Sequence, residues 1–343
     1  MRSYLLFVSQ LYSFSILRPI QEVIRQRGDN AAWFVVGPWK QSVRPDEQLL
    51  ETVSQVKKYD PEAVFVAGNV VPGFFPGIKV QVFHGFHVRK RSSDRGHYRI
   101  RGFFDLYCTQ GPDTTRYFEE LAEKHRHFRV VETGWPKMDP LFTKTFLRRS
   151  NRRPVIFFAS TFTPRLSAAI PLRETIRTLA DTGEWQWIVH FHPKMDGAVV
   201  DSYRAMQNEN LTFIETDDTI PLLQQADVMV SDTSSIVSEF CLRQKPAVTF
   251  RNRRPGPHLL NITEPSGLRS AIEQALSKPA ALMTAIREYT QHIHPYRDGR
   301  SSARVLAATD QFIAQGDHGL VHKPLNLVRR LKMRKMLGYY RWR

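Results

Sequence analysis

The chain has 343 residues, 42% of them hydrophobic, and a formal net charge of +16. That length favours two domains of ordinary size, and the apolar content excludes a disordered polypeptide. Two cysteines, Cys108 and Cys241, exclude a disulfide framework and point to a reducing compartment. The charge calls for an anionic partner: nucleic acid, an anionic membrane or phosphorylated substrates.

From the start, "YLLFV" (4–8) reads as a strand. The opening segment lacks a small-residue cleavage site and fits a first strand better than a signal peptide. "RPIQEVIRQRG" (18–28) reads as a helix with Pro19 near its first turn and Gly28 at its end. Strands are expected at 31–36, 63–67, 79–83, 105–109 and 128–132, with helices over 46–58 and 113–125. Residues 137–154, charged and carrying two prolines, read as a linker. The alternation then restarts, with strands at 155–159, 185–190, 211–215, 227–231 and 246–250. Helices are expected near 168–181, 197–208, 219–226, 234–243, 266–276 and 280–291. No run approaches the roughly 18 apolar residues of a membrane span. Strands alternating with helices predict parallel sheets. The expected architecture is α/β: two Rossmann-like domains facing across a cleft, at 1–140 and 150–315, followed by a basic tail at 318–343.

Ligands of open parallel sheets bind outside the carboxyl ends of the strands, and the informative motifs fall there. "QVFHGFHVRK" (81–90) sets His84 after a strand, and Gly85 permits a tight turn or a close approach to a ligand. An imidazole there can serve as a general base; the plainer alternative is a loop histidine that only packs. "WIVHFHPKM" (187–195) puts His190 and His192 two apart, with Pro193 ending the strand. No third ligand suits a metal, so no metal site and no other cofactor is expected. His192 and Lys194 suit a phosphate. In "VMVSDTSSIVSEF" (228–240) a strand runs into Ser231, Asp232, Thr233, Ser234 and Ser235, and a helix follows. Such a junction can hold an anion on backbone N–H groups and hydroxyls, or it can be plain helix capping. "HPYRDGRSSARV" (294–305) offers a second junction, with Gly299, Arg300, Ser301 and Ser302. Glycine-rich dinucleotide and Walker signatures are absent, which disfavours ordinary NAD and ATP chemistry.

Together, in order, these residues resemble the CDP-glycerol glycerophosphotransferase family of teichoic-acid-type enzymes. The likeness lies in His84-Gly85, His192-Pro193, Ser231-Asp232-Thr233-Ser234-Ser235 with Lys245-Pro246 beyond, and Asp298-Gly299-Arg300-Ser301-Ser302-Ala303-Arg304. It spans roughly residues 75–310. It implies a GT-B fold and transfer of glycerol phosphate from CDP-glycerol, or a related nucleotide-diphosphate donor, to a hydroxyl of a glycan or lipid-linked acceptor, with release of CMP and no required metal. By the same likeness His84 is the base on the acceptor. His192 stabilises the phosphates, with Gly85, Lys194, Ser231 to Ser235 and Asp298 to Ser301 on the donor. Glu239 either reaches ribose or cytosine or is an exposed helix residue. The chain departs from the family in lacking the usual Trp before His-Gly, the Thr-Pro after it, and a Pro-Thr-Trp run after residue 159.

Two other readings stand beside this one. Another GT-B enzyme would use a nucleotide sugar, as a glycosyltransferase or a UDP-N-acetylhexosamine 2-epimerase; an epimerase needs carboxylates around the sugar, whereas these strand ends offer histidines. A nucleic-acid-binding protein would explain the charge, but no helix-turn-helix, zinc or RNP signature is present, so no nucleic-acid partner is expected. From His318 onward there is no acidic residue and there are eight Lys/Arg. That tail predicts attachment to an anionic membrane and a cytoplasmic protein peripheral on the inner face of the plasma membrane. The alternative is a terminal helix packed back on the first domain.

Overall fold

The computed structural model describes residues 1–86, 99–143 and 153–340. The chain forms two compact units, Met1–Phe142 with Ile293–Arg343, and Thr143–His292. The elements of the first are β1 (Ser3–Val8), α1 (Ser13–Gln26), β2 (Asn30–Val35), β3 (Gln48–Leu49), α2 (Val53–Tyr59), β4 (Ala63–Val66), β5 (Ile78–Gln81), β6 (Leu106–Thr109), α3 (Pro112–His125), β7 (Arg129–Glu132) and α4 (Asp139–Thr143). The second carries β8 (Val155–Ser160), α5 (Ala169–Asp181), β9 (Gln186–Phe191), α6 (Gly197–Arg204), β10 (Leu211–Phe213), α7 (Ile220–Gln225), β11 (Val228–Ser231), α8 (Ile236–Cys241), β12 (Ala247–Phe250), β13 (Leu260–Ile262), α9 (Leu268–Ser277) and α10 (Ala280–Ile293). The chain then returns to the first unit as α11 (Ser301–Gln315) and α12 (Leu327–Met336).

Both sheets are parallel throughout. The first orders its strands β3-β2-β1-β4-β5-β6-β7 and the second β10-β9-β8-β11-β12-β13. Strands covered on both faces need continuous apolar runs, which explains why "YLLFV" and "VIFFA" do not alternate. Tyr4 to Val8 and Ile156 to Phe158 are essentially fully buried. In each sheet the strand order reverses beside the first strand, between β1 and β4 and between β8 and β11. Loops diverge at such a point and leave room for a ligand.

Three sequence expectations are corrected here. Residues 293–315 belong with the first unit rather than with 150–315. The cause is local: buried Val305, Leu306 and Phe312 seat α11, and Asp310 accepts from Arg2 at 2.9 Å, Tyr4 at 2.6 Å and Arg27 at 2.6 Å. Helix α1 begins at Ser13, so Pro19 lies inside it and interrupts its hydrogen-bond ladder instead of opening it. The described part of the expected linker is packed, with Met138, Asp139 and Leu141 buried; its residues 144–152 lie outside the described residues.

The tail also packs back. Lys323 pairs with Asp105 at 2.6 Å and donates to the Phe103 carbonyl at 3.0 Å. Met333 enters the first core, Arg334 lies over the Phe74 ring at 4.8 Å, and Tyr339 stacks on Phe74 at 5.1 Å.

Candidate functional site

In the first unit the site is built at the ends of β1, β4 and β5. Val82 still bonds to Val66, continuing the ladder past β5. Phe83 then turns into the left-handed region, φ 59°, while its ring stays fully buried. A bulky residue there costs on the order of 1–2 kcal/mol, and the kink throws His84 back over β4. Nδ1 of His84 lies 3.1 Å from the Ala67 carbonyl. A carbonyl only accepts, so Nδ1 carries the proton and Nε2 carries the basic lone pair. Tyr12, between β1 and α1, stacks on the ring at 5.0 Å. Burial pushes the His84 pKa below its ordinary value; the Ala67 bond opposes this and the Arg101 charge adds to it. The ring is thus a neutral base at neutral pH. Gly85 has no left-handed turn, since Phe83 takes it, and a Cβ at Gly85 would meet no atom of the described residues within 4 Å.

In the second unit the ends of β9, β8, β11 and β12 adjoin in that order. The Lys194 backbone N–H donates to His192 Nδ1 at 3.1 Å. An N–H only donates, so Nδ1 accepts and the proton of the neutral ring sits on Nε2. His192 is therefore posed as a hydrogen-bond donor, opposite to His84. Phe162 lies against its ring at 4.8 Å, and Lys194 Nζ is 5.9 Å from the same Phe162 ring. Partial burial, then Lys194 and His190, pushes the His192 pKa down. His190 itself is buried inside β9 and donates from Nδ1 to the Ile214 carbonyl at 3.0 Å.

The Ser231–Ser235 stretch divides by depth. Ser231 is the last residue of β11 and is fully buried. Asp232 is fully buried too: its carboxylate accepts from Ser160 Oγ at 2.6 Å, the Thr161 N–H at 3.0 Å and the Ala168 N–H at 3.1 Å. It fastens the β8–α5 loop to the end of β11. Neither Ser231 nor Asp232 presents its side chain to a donor, which corrects the sequence expectation. Thr233, Ser234 and Ser235 lie nearer the surface. Ser235, ahead of α8, makes no capping hydrogen bond, so plain capping does not explain the run. Thr233 Oγ1 accepts from the Arg253 N–H at 3.2 Å, and Asn252 donates to the Asp232 carbonyl at 3.1 Å. The basic loop Arg251-Asn252-Arg253-Arg254 is thereby clasped beside the hydroxyls. Glu239 is buried in α8 with partners of its own, not an exposed helix residue.

The second junction proves to be a lock within the first unit. Ser301 and Ser302 are buried, and their N–H groups donate to Asp139 at 2.8 and 2.7 Å. The protein's own carboxylate fills the anion site at the start of α11, so Ser301 is not available to a donor. Asp298 is held by Arg304 at 2.8 and 3.0 Å, which lowers its pKa to about 2. Gly299 (φ 67°) makes the turn between them, and Arg300 is exposed. Gly134 (φ 80°) has no room for a side chain: a Cβ would stand 2.5 Å from Ser301 Oγ. Trp135 N–H donates to His294 Nε2 at 2.9 Å, and burial lowers the His294 pKa to about 4.

Tyr12, Phe162 and Asp139 escaped the sequence reading because only tertiary contact reveals them. The Arg251–Arg254 loop had a signal, a basic run straight after a strand. Among the described residues no group of three His, Cys, Asp or Glu is placed to hold a metal ion, and no helix is long and apolar enough to cross a membrane.

Two doubly wound parallel units, each with a switch point beside its first strand, give the α/β architecture of GT-B-like proteins. The family model for UDP-N-acetylglucosamine 2-epimerase matches residues 111–310, more than half of the chain, and the chain belongs to that family. No curated protein matches it in sequence. Among solved structures it is similar to the wall teichoic acid polymerase TagF, at TM-score 0.69 and 15% identity over 91% of this chain and 89% of that one. S. aureus MnaA in complex with UDP matches at TM-score 0.64 and 14% identity, over 94% of this chain and 99% of that one. A UDP-N-acetylglucosamine 2-epimerase matches at TM-score 0.62 and 13% identity, over 94% and 100%. At such identities these likenesses speak for the fold. The resemblance to glycerophosphotransferases is thus met at the level of the GT-B fold.

Proposed function

We propose that the protein transfers an alcohol phosphate, with glycerol phosphate as the favoured group, from a CDP-linked donor to a hydroxyl of an envelope glycan or lipid-linked acceptor. The observation that carries this reading is that the two strand-end histidines, one in each unit, hold opposite tautomers, His84 with its lone pair on Nε2 and His192 with its proton on Nε2. The acceptor oxygen attacks the β-phosphorus and a new P–O bond forms. The bond from that phosphorus to the bridging oxygen breaks, its electron pair leaves with CMP, and the acceptor proton passes to His84 Nε2. His192 Nε2–H, Lys194 and the Thr233, Ser234 and Ser235 hydroxyls stabilise the diphosphate charge. Arg253 and Arg254 join them. Gly85 flanks the base.

A second reading, epimerisation of a UDP-N-acetylhexosamine, is favoured by the family match over residues 111–310. Against it, three carboxylates at the strand ends already have partners. Asp232 holds a loop, Glu132 accepts from Thr115 at 2.6 Å and Tyr296 at 3.1 Å, and Glu215 pairs with Arg204 at 2.6 Å. Calorimetric titration with CDP-glycerol, CMP, UDP and UDP-N-acetylglucosamine tests the choice. Binding of the cytidine ligands with at least tenfold preference is expected; preference for the uridine ligands favours the epimerase.

A further inference from the structure

Helix α12 is held to the first unit by one side only. Met333 and Arg334 are buried there, and Asn326, just ahead of the helix, donates to the Arg101 carbonyl at 2.7 Å. At 100° per residue the opposite side carries Val328, Leu331 and Met336, which are 67, 47 and 50% exposed, while Leu327 lies on the flank beside Arg334. Three large apolar side chains on the outer face of a ten-residue helix form a patch rather than scattered exposure. Lys332 and Lys335 lie among them and are exposed. No acidic residue follows Asp317 in the sequence. The basic field extends beyond the helix: burial, then the charges of Arg99 and Arg329, depresses the Arg101 pKa, so three guanidinium groups crowd the base of α12.

We propose that the outer face of α12 docks on an anionic lipid bilayer, with Val328, Leu331 and Met336 in the acyl boundary and Lys332 and Lys335 at the headgroups. Charge complementarity selects this occupant. A nucleic acid would satisfy the lysines but leave the apolar side chains in water, whereas a bilayer interface takes both, because lysine stems lie along apolar surface while their ammonium groups reach out. The helix is too short to span a membrane. The inference is independent of the donor chemistry: it fixes where the protein works, and it suits a lipid-linked acceptor.

The test is co-sedimentation of the full chain with vesicles of phosphatidylcholine, with and without 30 mol% (about a third) phosphatidylglycerol. Binding to the anionic vesicles at low salt, lost in high salt, is expected, with little binding to phosphatidylcholine. Lys332→Gln with Lys335→Gln should weaken partitioning about 25-fold, each basic residue counting for roughly fivefold. Val328→Ser with Leu331→Ser and Met336→Ser should abolish binding without lowering the melting temperature, since the packed side is untouched. The proposal is overturned if the full chain ignores anionic vesicles, or if the triple serine variant binds as well as the parent. It is equally overturned if duplex DNA displaces the vesicles and binds with no dependence on the three apolar residues.

Discussion

The Lys194 N–H and the His192 ring are joined by a 3.1 Å hydrogen bond in which the imidazole accepts. This backbone contact decides which ring nitrogen can donate to an anion. The Ala67 carbonyl decides the reverse at His84. Two histidines, each after a strand of its own sheet, are thereby held in opposite tautomers by main-chain atoms.

Replacing the base should act on turnover. His84→Ala is expected to lower kcat about 10²–10⁴-fold while the affinity for CDP-glycerol, measured by calorimetry, changes less than twofold. His192→Ala should instead weaken donor binding. An unchanged kcat for His84→Ala with a working acceptor removes His84 from the reaction.

The pH profile follows from the same ring. Burial lowers the His84 pKa from 6.5, and the base acts when neutral. The rate should therefore be flat from pH 7 upward and fall only at pH below the ordinary histidine value. An acid limb centred above 6.5 in kcat/KM contradicts the assignment.

Depth within the Ser231–Ser235 stretch separates stability from binding. Asp232→Ala leaves the Thr161 N–H and the Ser160 hydroxyl without their carboxylate acceptor and the Ala168 N–H with Ser160 Oγ alone, and should cost roughly 3 kcal/mol in guanidinium unfolding. Ser234→Ala with Ser235→Ala should change stability by no more than about 0.5 kcal/mol and weaken donor binding at least tenfold. Equal stability losses in the two variants would make the whole stretch structural.

The parallel sheets and the strand-end histidines were legible in the sequence because both rest on local signals: buried apolar runs, and polar residues where those runs stop. What was not legible is which polar residues look inward. Asp232 and Ser301 sit in motifs that read as anion sites, yet one is consumed by the β8–α5 loop and the other by Asp139, 162 positions away in the chain. Strand β13 was missed because its three residues are only partly buried and carry no apolar run. Phe162 gave no signal, since its role depends on the His192 ring it touches.

His294 predicts acid lability. Its folded pKa is about 4 against 6.5 for the free side chain, so the unfolded chain takes up a proton first. The stability it contributes is complete above pH 6.5 and is lost as pH falls toward 4. At about 1.4 kcal/mol per unit that loss is roughly 3 kcal/mol. Urea unfolding at pH 7 and pH 4 should show it, and His294→Phe should remove most of the difference between the two.

The central claim is tested most directly by following phosphorus. The protein is incubated separately with CDP-glycerol and with UDP-N-acetylglucosamine, each with a panel of glycan and lipid-linked acceptors, and the products are read by ³¹P NMR. The account predicts conversion of CDP-glycerol to CMP with a new phosphodiester on the acceptor, and an unchanged UDP-N-acetylglucosamine signal. Formation of UDP-N-acetylmannosamine, with CDP-glycerol left intact, would contradict it.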